Sequence, residues 1–169
     1  DINPTATITC HTNGAMHDED FWAKCGQIYS TSPDSVVQFG IDGLEDTHHL
    51  YRVGTKFEKV LRNARTFIDN GGTAIWQFLI FKHNQHQVHE ALELAKQYGF
   101  AQFKPKMSTR FIYGNDAQPN TLPYKLEPAT MVGNLKAPPK MLTGLDAEIC
   151  VSCESLEDQF LYIYPDGTV

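Results

Sequence analysis

The run Ala74-Ile75-Trp76-Gln77-Phe78-Leu79-Ile80-Phe81 constrains the fold more than any other stretch of the chain. It is apolar everywhere but Gln77, and it lies between the glycine pair Gly71-Gly72 and the polar Lys82-His83-Asn84. A strand with one solvated face alternates polar and apolar residues. A near-continuous apolar run instead marks a strand covered on both faces, as in parallel sheets. Parallel strands need long crossover connections, usually helices. The pattern predicts an α/β chain with helices on either side of this strand.

Both neighbouring segments carry the helical period. Phe57, Val60, Leu61, Ala64, Phe67 and Ile68 recur at i, i+3, i+4, i+7, i+10 and i+11, one face of a helix. Thr55-Lys56-Phe57-Glu58 reads as its capping box, with Thr55 as the cap, and Gly71-Gly72 ends it. Further on, Asn84 reads as a cap with Gln87 three residues later; Val88, Ala91, Leu92 and Ala95 face inward and Gly99 closes the helix. Upstream, Ala6 to Cys10 reads as a strand and ends in the polar turn His11-Thr12-Asn13-Gly14. Asp18 then caps a short helix with Phe21, Trp22 and Cys25 on one face, closed by Gly26. After a loop from Ser30 to Ser35, Val36 to Asp42 reads as a second strand, and Phe100 to Met107 as a fourth. Four strands alternate with three helices, and parallel right-handed crossovers are the expected connection.

From Ser108 to Ala147 the periodicity stops. Pro119, Pro123, Pro128, Pro138 and Pro139 among scattered polar residues predict loop or linker. Strand texture returns at Phe160-Leu161-Tyr162-Ile163, followed by a Pro165-Asp166-Gly167 turn. Natural domains seldom stop just inside a return strand, and the chain starts at Asp1 close to an apolar strand, so it reads as an internal piece of a longer protein.

Composition narrows the function classes. A net charge of −6 argues against nucleic acid, whose binding needs a basic surface. No apolar run approaches the ~20 residues that span a bilayer, so no membrane partner is expected. Asp1-Ile2-Asn3-Pro4 lacks the basic start and apolar core of a signal peptide, and a cytoplasmic location is expected. The cysteines are Cys10, Cys25, Cys150 and Cys153. In a chain without a secretion signal, the Cys150-x-x-Cys153 pair points to metal or redox chemistry more than to a disulfide framework.

The candidate site is Gly40-Ile41-Asp42-Gly43 at the end of the second strand. In α/β sheets ligands bind beyond the carboxyl ends of strands, and glycines let backbone approach them. Asp42 reads either as a ligand-binding carboxylate or as a turn residue. Arg52 reads as a guanidinium able to fork onto a carboxylate or phosphate, or as a surface arginine paired with Glu45 or Asp46. His83, His86 and His89, at i, i+3 and i+6 without a carboxylate or cysteine nearby, read as solvated histidines rather than a metal site. His48-His49 beside Glu45 and Asp46 reads as a solvated loop before it reads as a metal site. Trp76, Phe78 and Phe81 read as core before they read as a purine-packing set. Neither G-x-G-x-x-G nor the P-loop sequence occurs.

Taken in chain order, these pieces resemble the radical S-adenosylmethionine (SAM) superfamily, in its branch with a C-terminal SPASM or twitch extension. Thr12-Asn13-Gly14 resembles the family's T-N-G at the third barrel strand, and Gly40-Ile41-Asp42-Gly43 its S-[IL]-D-G at the fourth. Glu45 to Arg52 resembles the H-D-x-x-R region, and Thr55-x-Phe57 the start of the following helix. Ile149 to Val169, with thirteen residues between Cys153 and Gly167, resembles the opening of the extension.

The resemblance implies a partial (β/α)6 TIM-like barrel over 1–108, a linker over 109–148 and the start of a SPASM/twitch auxiliary-cluster domain over 149–169. It implies an enzyme that reductively cleaves SAM with a [4Fe-4S] cluster to abstract hydrogen from a small-molecule or peptide substrate, served by an electron donor such as flavodoxin or ferredoxin. Thr12, Asn13, Gly40, Asp42, Arg52 and Gln77 would line the SAM rim, and Cys153 would ligate an auxiliary iron-sulfur cluster. No general acid or base is assigned. The family's Cys-x3-Cys-x2-Cys loop, which holds the catalytic cluster, is absent, as is its G-G-E-P segment, and both would lie before Asp1. The serine of S-x-D-G is Gly40 here. Two rivals stand beside this: a non-catalytic nucleotide- or partner-binding module, and a TIM-like metal-dependent hydrolase using Asp42 with His48 or His49.

Overall fold

The computed structural model describes residues 7–32, 34–108 and 126–130. Cys150, Cys153, the Phe160 to Ile163 segment and most of the proline-rich stretch lie outside them. Strands β1 (Thr9–Thr12), β2 (Val36–Gly40), β3 (Thr73–Ile80) and β4 (Gln102–Met107) form one sheet. Their spatial order is β1-β2-β3-β4 and every pair is parallel. Helices α1 (Glu19–Tyr29), α3 (Phe57–Asp69) and α4 (Val88–Gln97) supply the crossovers, and a single turn, α2 (His48–Tyr51), lies between β2 and α3. The α/β expectation holds. The polar turn begins later than expected, because His11 and Thr12 belong to β1.

The register fixes two faces. Val37 and Phe39 of β2 lie with Ala74, Trp76, Phe78 and Ile80 of β3 in one core with Trp22 of α1, Val60, Leu61, Ala64 and Phe67 of α3, and Ala91 and Ala95 of α4. All three long helices therefore cover the same face. Phe39 and Trp76 are fully buried, and burial of side chains this large contributes roughly 1.5–3 kcal/mol each. The alternate residues face the other way, and those on β4 (Gln102, Lys104 and Lys106) are exposed. Among the described residues, the strand predicted as covered on both faces has helices on one. On the opposite face Gln77 and Leu79 are half-buried, whereas Ile75 is buried.

Local signals misled where a side chain had a distant partner. Gly26 does not close α1 but lies inside it, where a Cβ would collide with the carbonyl of Phe67, so the glycine sets how closely α1 packs on α3. Asp18 does cap α1, accepting from Phe21 N–H at 3.0 Å. The capping box at Thr55 does not form: Lys56 occupies the cap position without a side-chain bond, while Thr55 turns back to Arg52 and His48. Asn84 precedes and Gln87 ends a short 3-10 turn (Gln85–Gln87) ahead of α4, and neither side chain caps a helix. Within the proline-rich stretch, Leu126 and Ala129 are buried, and Phe81 bridges Pro128 in antiparallel fashion.

Candidate functional site

The carboxyl end of β2 is where the sheet gives way to side chains. The ladder continues one step past Gly40, as Ile41 N–H donates to the Gln77 carbonyl at 3.0 Å. There the backbone leaves, and side chains take over its bonds. The Trp76 indole N–H donates to the Ile41 carbonyl at 2.8 Å, and the Leu79 N–H donates to Asp42 Oδ1 at 2.6 Å. Asp42 is fully buried, and a buried carboxylate must be bonded and paired to stay charged. Arg52 provides the pairing, with Nε 2.6 Å from Asp42 Oδ2. The partner of Arg52 is thus Asp42, not the exposed Glu45 or Asp46 of the surface reading.

The excursion from Asp42 to Arg52 is laced to the turn after β3. Asn84 Nδ2 donates to the carbonyls of Asp42 (3.1 Å) and Leu79 (2.9 Å), and its Oδ1 accepts from Phe81 N–H at 2.7 Å. Gln87 Oε1 accepts from Leu44 N–H at 3.1 Å and from the Thr47 hydroxyl, while its Nε2 donates to Asp46 Oδ1 at 2.7 Å. Two amides therefore tie the tips of β2 and β3 together. Gly40 is part of the same construction, since a Cβ there would collide with Arg52 Nη2. Glycine at this position makes room for the guanidinium.

His48 is not the solvated loop residue its neighbours suggest. It is fully buried. Thr55 donates its hydroxyl hydrogen to the Arg52 carbonyl at 2.7 Å, so toward His48 Nε2, 2.9 Å away, it accepts. This network makes Nε2 the protonated nitrogen and leaves Nδ1 buried without a hydrogen-bond partner among the described residues. Burial, with Arg52 and then His49 adding repulsion, pushes the imidazole pKa down to about 4. His48 is neutral at pH 7 and holds Thr55, which holds the backbone of Arg52.

The other predicted residues gather at the same rim. Thr12 pairs with Phe39, and Gly40 with Gln77, so Thr12, Gly40 and Gln77 lie within one residue of a common level on three adjacent strands. Asn13 follows Thr12 at that edge and is exposed. Within the turn, Thr12 Oγ1 accepts from Gly14 N–H and Asn13 Oδ1 from Ala15 N–H, both at 3.0 Å. Asp42 faces inward, and Arg52, with 27% of its side chain exposed, is the charged group of the set that reaches solvent. Cys153 lies outside the described residues.

Among the described residues no three His, Cys, Asp or Glu side chains come together as a metal site. His83 stacks on Phe81, with centroids 5.4 Å apart and planes 10° off parallel, and His86 and His89 are exposed. Trp76, Phe78 and Phe81 are fully buried. Cys10 and Cys25 are free thiols whose pKa burial pushes up, so they are not poised as thiolates. No helix of the described residues is long and apolar enough to cross a membrane.

No protein-family model matches the chain, and no curated protein matches it. Among solved structures, the chain is similar to native anSMEcpe with bound AdoMet and Kp18Cys peptide and to a tagged anSMEcpe with bound AdoMet. Each is 20% identical with a TM-score of 0.45 over 59% of this chain. The chain spans 28% of the length of those structures.

Asn84, Gln87 and the indole of Trp76 were missed as parts of the site. Nothing local could have revealed them, because each acts on residues about 35 or more positions away. The polar face of the sheet was also missed, although Gln102-Phe103-Lys104-Pro105-Lys106-Met107 alternates polar and apolar residues in plain view.

Proposed function

We propose that the rim binds S-adenosylmethionine as part of a radical SAM enzyme acting on a small-molecule or peptide substrate. Arg52, Asn13 and Gln77 are assigned to the amino-acid end of the cofactor. Asp42 and Gly40 are assigned to the support of Arg52. The observation that carries this is convergence: three segments that resemble the family's motifs in chain order come to one end of adjacent parallel strands, with one guanidinium among them. The site also has suitable chemistry. A guanidinium with its Nε engaged by Asp42 has two terminal nitrogens of the kind that fork onto a carboxylate.

The catalytic [4Fe-4S] cluster is a different matter. The cysteines among the described residues are Cys10 and Cys25, on a strand and a helix, with thiols biased toward the neutral form. These residues do not fit the cluster.

Calorimetric titration of SAM into the chain tests the proposal. Arg52→Lys keeps a cation beside Asp42 but loses the planar fork, and a lost charge-assisted contact is worth roughly 1.5–3 kcal/mol, tenfold or more in affinity. SAM should bind, and bind about tenfold more weakly to Arg52→Lys, with little change in thermal midpoint. A chain that does not bind SAM overturns the proposal, and unchanged affinity in Arg52→Lys removes Arg52 from the site.

A further inference from the structure

The face of the sheet opposite the helices has a charge pattern that the rim does not use. Pairing puts Gln38 beside His11, Gly40 beside Gln77, and Gln77 beside Lys104, all on that face. Lys106 follows on the same side of β4. None of the strand residues on this face is acidic, although the chain carries a net charge of −6. Lys104 and Lys106 are exposed, and neither has an ion-pair partner among the described residues. Lys82 and Lys96, by contrast, are each 2.6–2.7 Å from a glutamate.

We infer that this face binds an acidic peptide in extended form, with carboxylates at alternate positions set against Lys104 and Lys106. Residues two apart on a strand sit roughly 6.7 Å apart on one face, and an extended peptide repeats its own side chains at that spacing. Two ammonium groups at this interval therefore match Glu-x-Glu or Asp-x-Asp in an extended ligand, with Gln77 in the next strand offering an amide toward the rim. Complementary charge also draws such a ligand to a surface that the rest of this acidic chain repels. The inference rests on the proposed function for its meaning, since it names the substrate class that would reach the rim, and on the face alone for its geometry.

Lysines and a proline on an edge strand also discourage sheet-to-sheet association, and β4 carries Lys104-Pro105-Lys106. The two roles separate by experiment. Fluorescein-labelled peptides with alternating Glu-Ser, alternating Gln-Ser, and glutamates in one block of equal number would be titrated by anisotropy at low ionic strength, where surface charges are least screened. The alternating Glu-Ser peptide should bind best. Lys104→Gln/Lys106→Gln should weaken it at least tenfold, while Lys82→Gln/Lys96→Gln should change it less than twofold. Equal weakening in both double variants, equal binding of the neutral peptide, or no binding at all overturns the inference. So does a face variant that self-associates in light scattering yet binds peptide as before. SAM titration of the same variants keeps the two proposals apart: peptide binding without SAM binding would sink the rim and leave this face standing, and the converse would do the opposite.

Discussion

The tips of β1 and β2 look alike in sequence and differ in how far distant partners hold them. Each ends in small polar residues and a glycine, Thr12-Asn13-Gly14 and Gly40-Ile41-Asp42-Gly43. At β1 the side chains of Thr12 and Asn13 bond within two residues of themselves, with Asn13 exposed, and one distant bond, from Asn63 Nδ2 to the Gly14 carbonyl at 2.8 Å, ties the turn down. At β2 the bonds reach Leu79, Trp76 and Asn84, all 35 or more residues away, and Asp42 is sealed from water. A tip held mostly by local bonds and one distant one yields at less cost than a tip closed by several distant partners around a buried charge, which fails as a unit. The rim of the candidate site therefore has a stiff side, where Arg52 is held, and a soft side at Asn13.

The sharpest way to break this contrast is to remove the arginine. Arg52→Ala leaves a buried carboxylate without its cation, and such losses run about 3–5 kcal/mol. Urea unfolding should show a destabilisation of that size; a loss under 1 kcal/mol would make the β2 tip no stiffer than that of β1.

Acid should attack the same tip through His48. Its folded pKa is lowered to about 4 from an ordinary 6.5, so the unfolded chain takes the proton first. The stability it contributes is complete above pH 6.5 and is lost as pH falls toward 4, by about 3 kcal/mol at most. His48→Gln should flatten the stability profile between those pH values relative to the native chain. Superimposable slopes would show that the imidazole is not buried in its neutral form.

Asn84→Ala tests the lacing between β2 and β3. It strips a bond from the buried Phe81 N–H, for a cost of about 1–3 kcal/mol. Hydrogen exchange should show faster opening at Leu79 and Phe81 with β1 unaffected. Uniform exchange across the sheet would mean that the tips are not independent.

The smallest effect is expected at the soft tip. Asn13→Ala removes one exposed bond to Ala15 N–H and should cost roughly 0.5–1 kcal/mol. A thermal shift matching that of Asn84→Ala would erase the distinction between the two tips.

Periodicity carried most of the fold. The α3 pattern from Phe57 to Ile68 and the apolar run of β3 are local records of a buried face, and the structure keeps both within a residue or two at their ends. Capping signals were less faithful. Thr55, Asn84 and Gln87 have side chains able to bond a helix end or anything else within reach, and each took a tertiary partner. Gly26 read as a stop because glycine often ends helices, yet close packing of α1 on α3 demanded it mid-helix.

By itself the sequence determined the alternation of strands and helices, the parallel sheet they imply, and the residues crowded at its carboxyl edge. These follow from hydrophobic period and from the polarity of strand ends, which are properties of neighbours in the chain. Only the tertiary structure decided that Arg52 answers Asp42, that Gly40 is empty to admit it, and that His48 is buried beneath both. It also decided that the lysines of β4 share a face with Gln77. The register of β3 against β2 brings those groups together across a sheet, and a buried charge accepts whichever partner that register supplies.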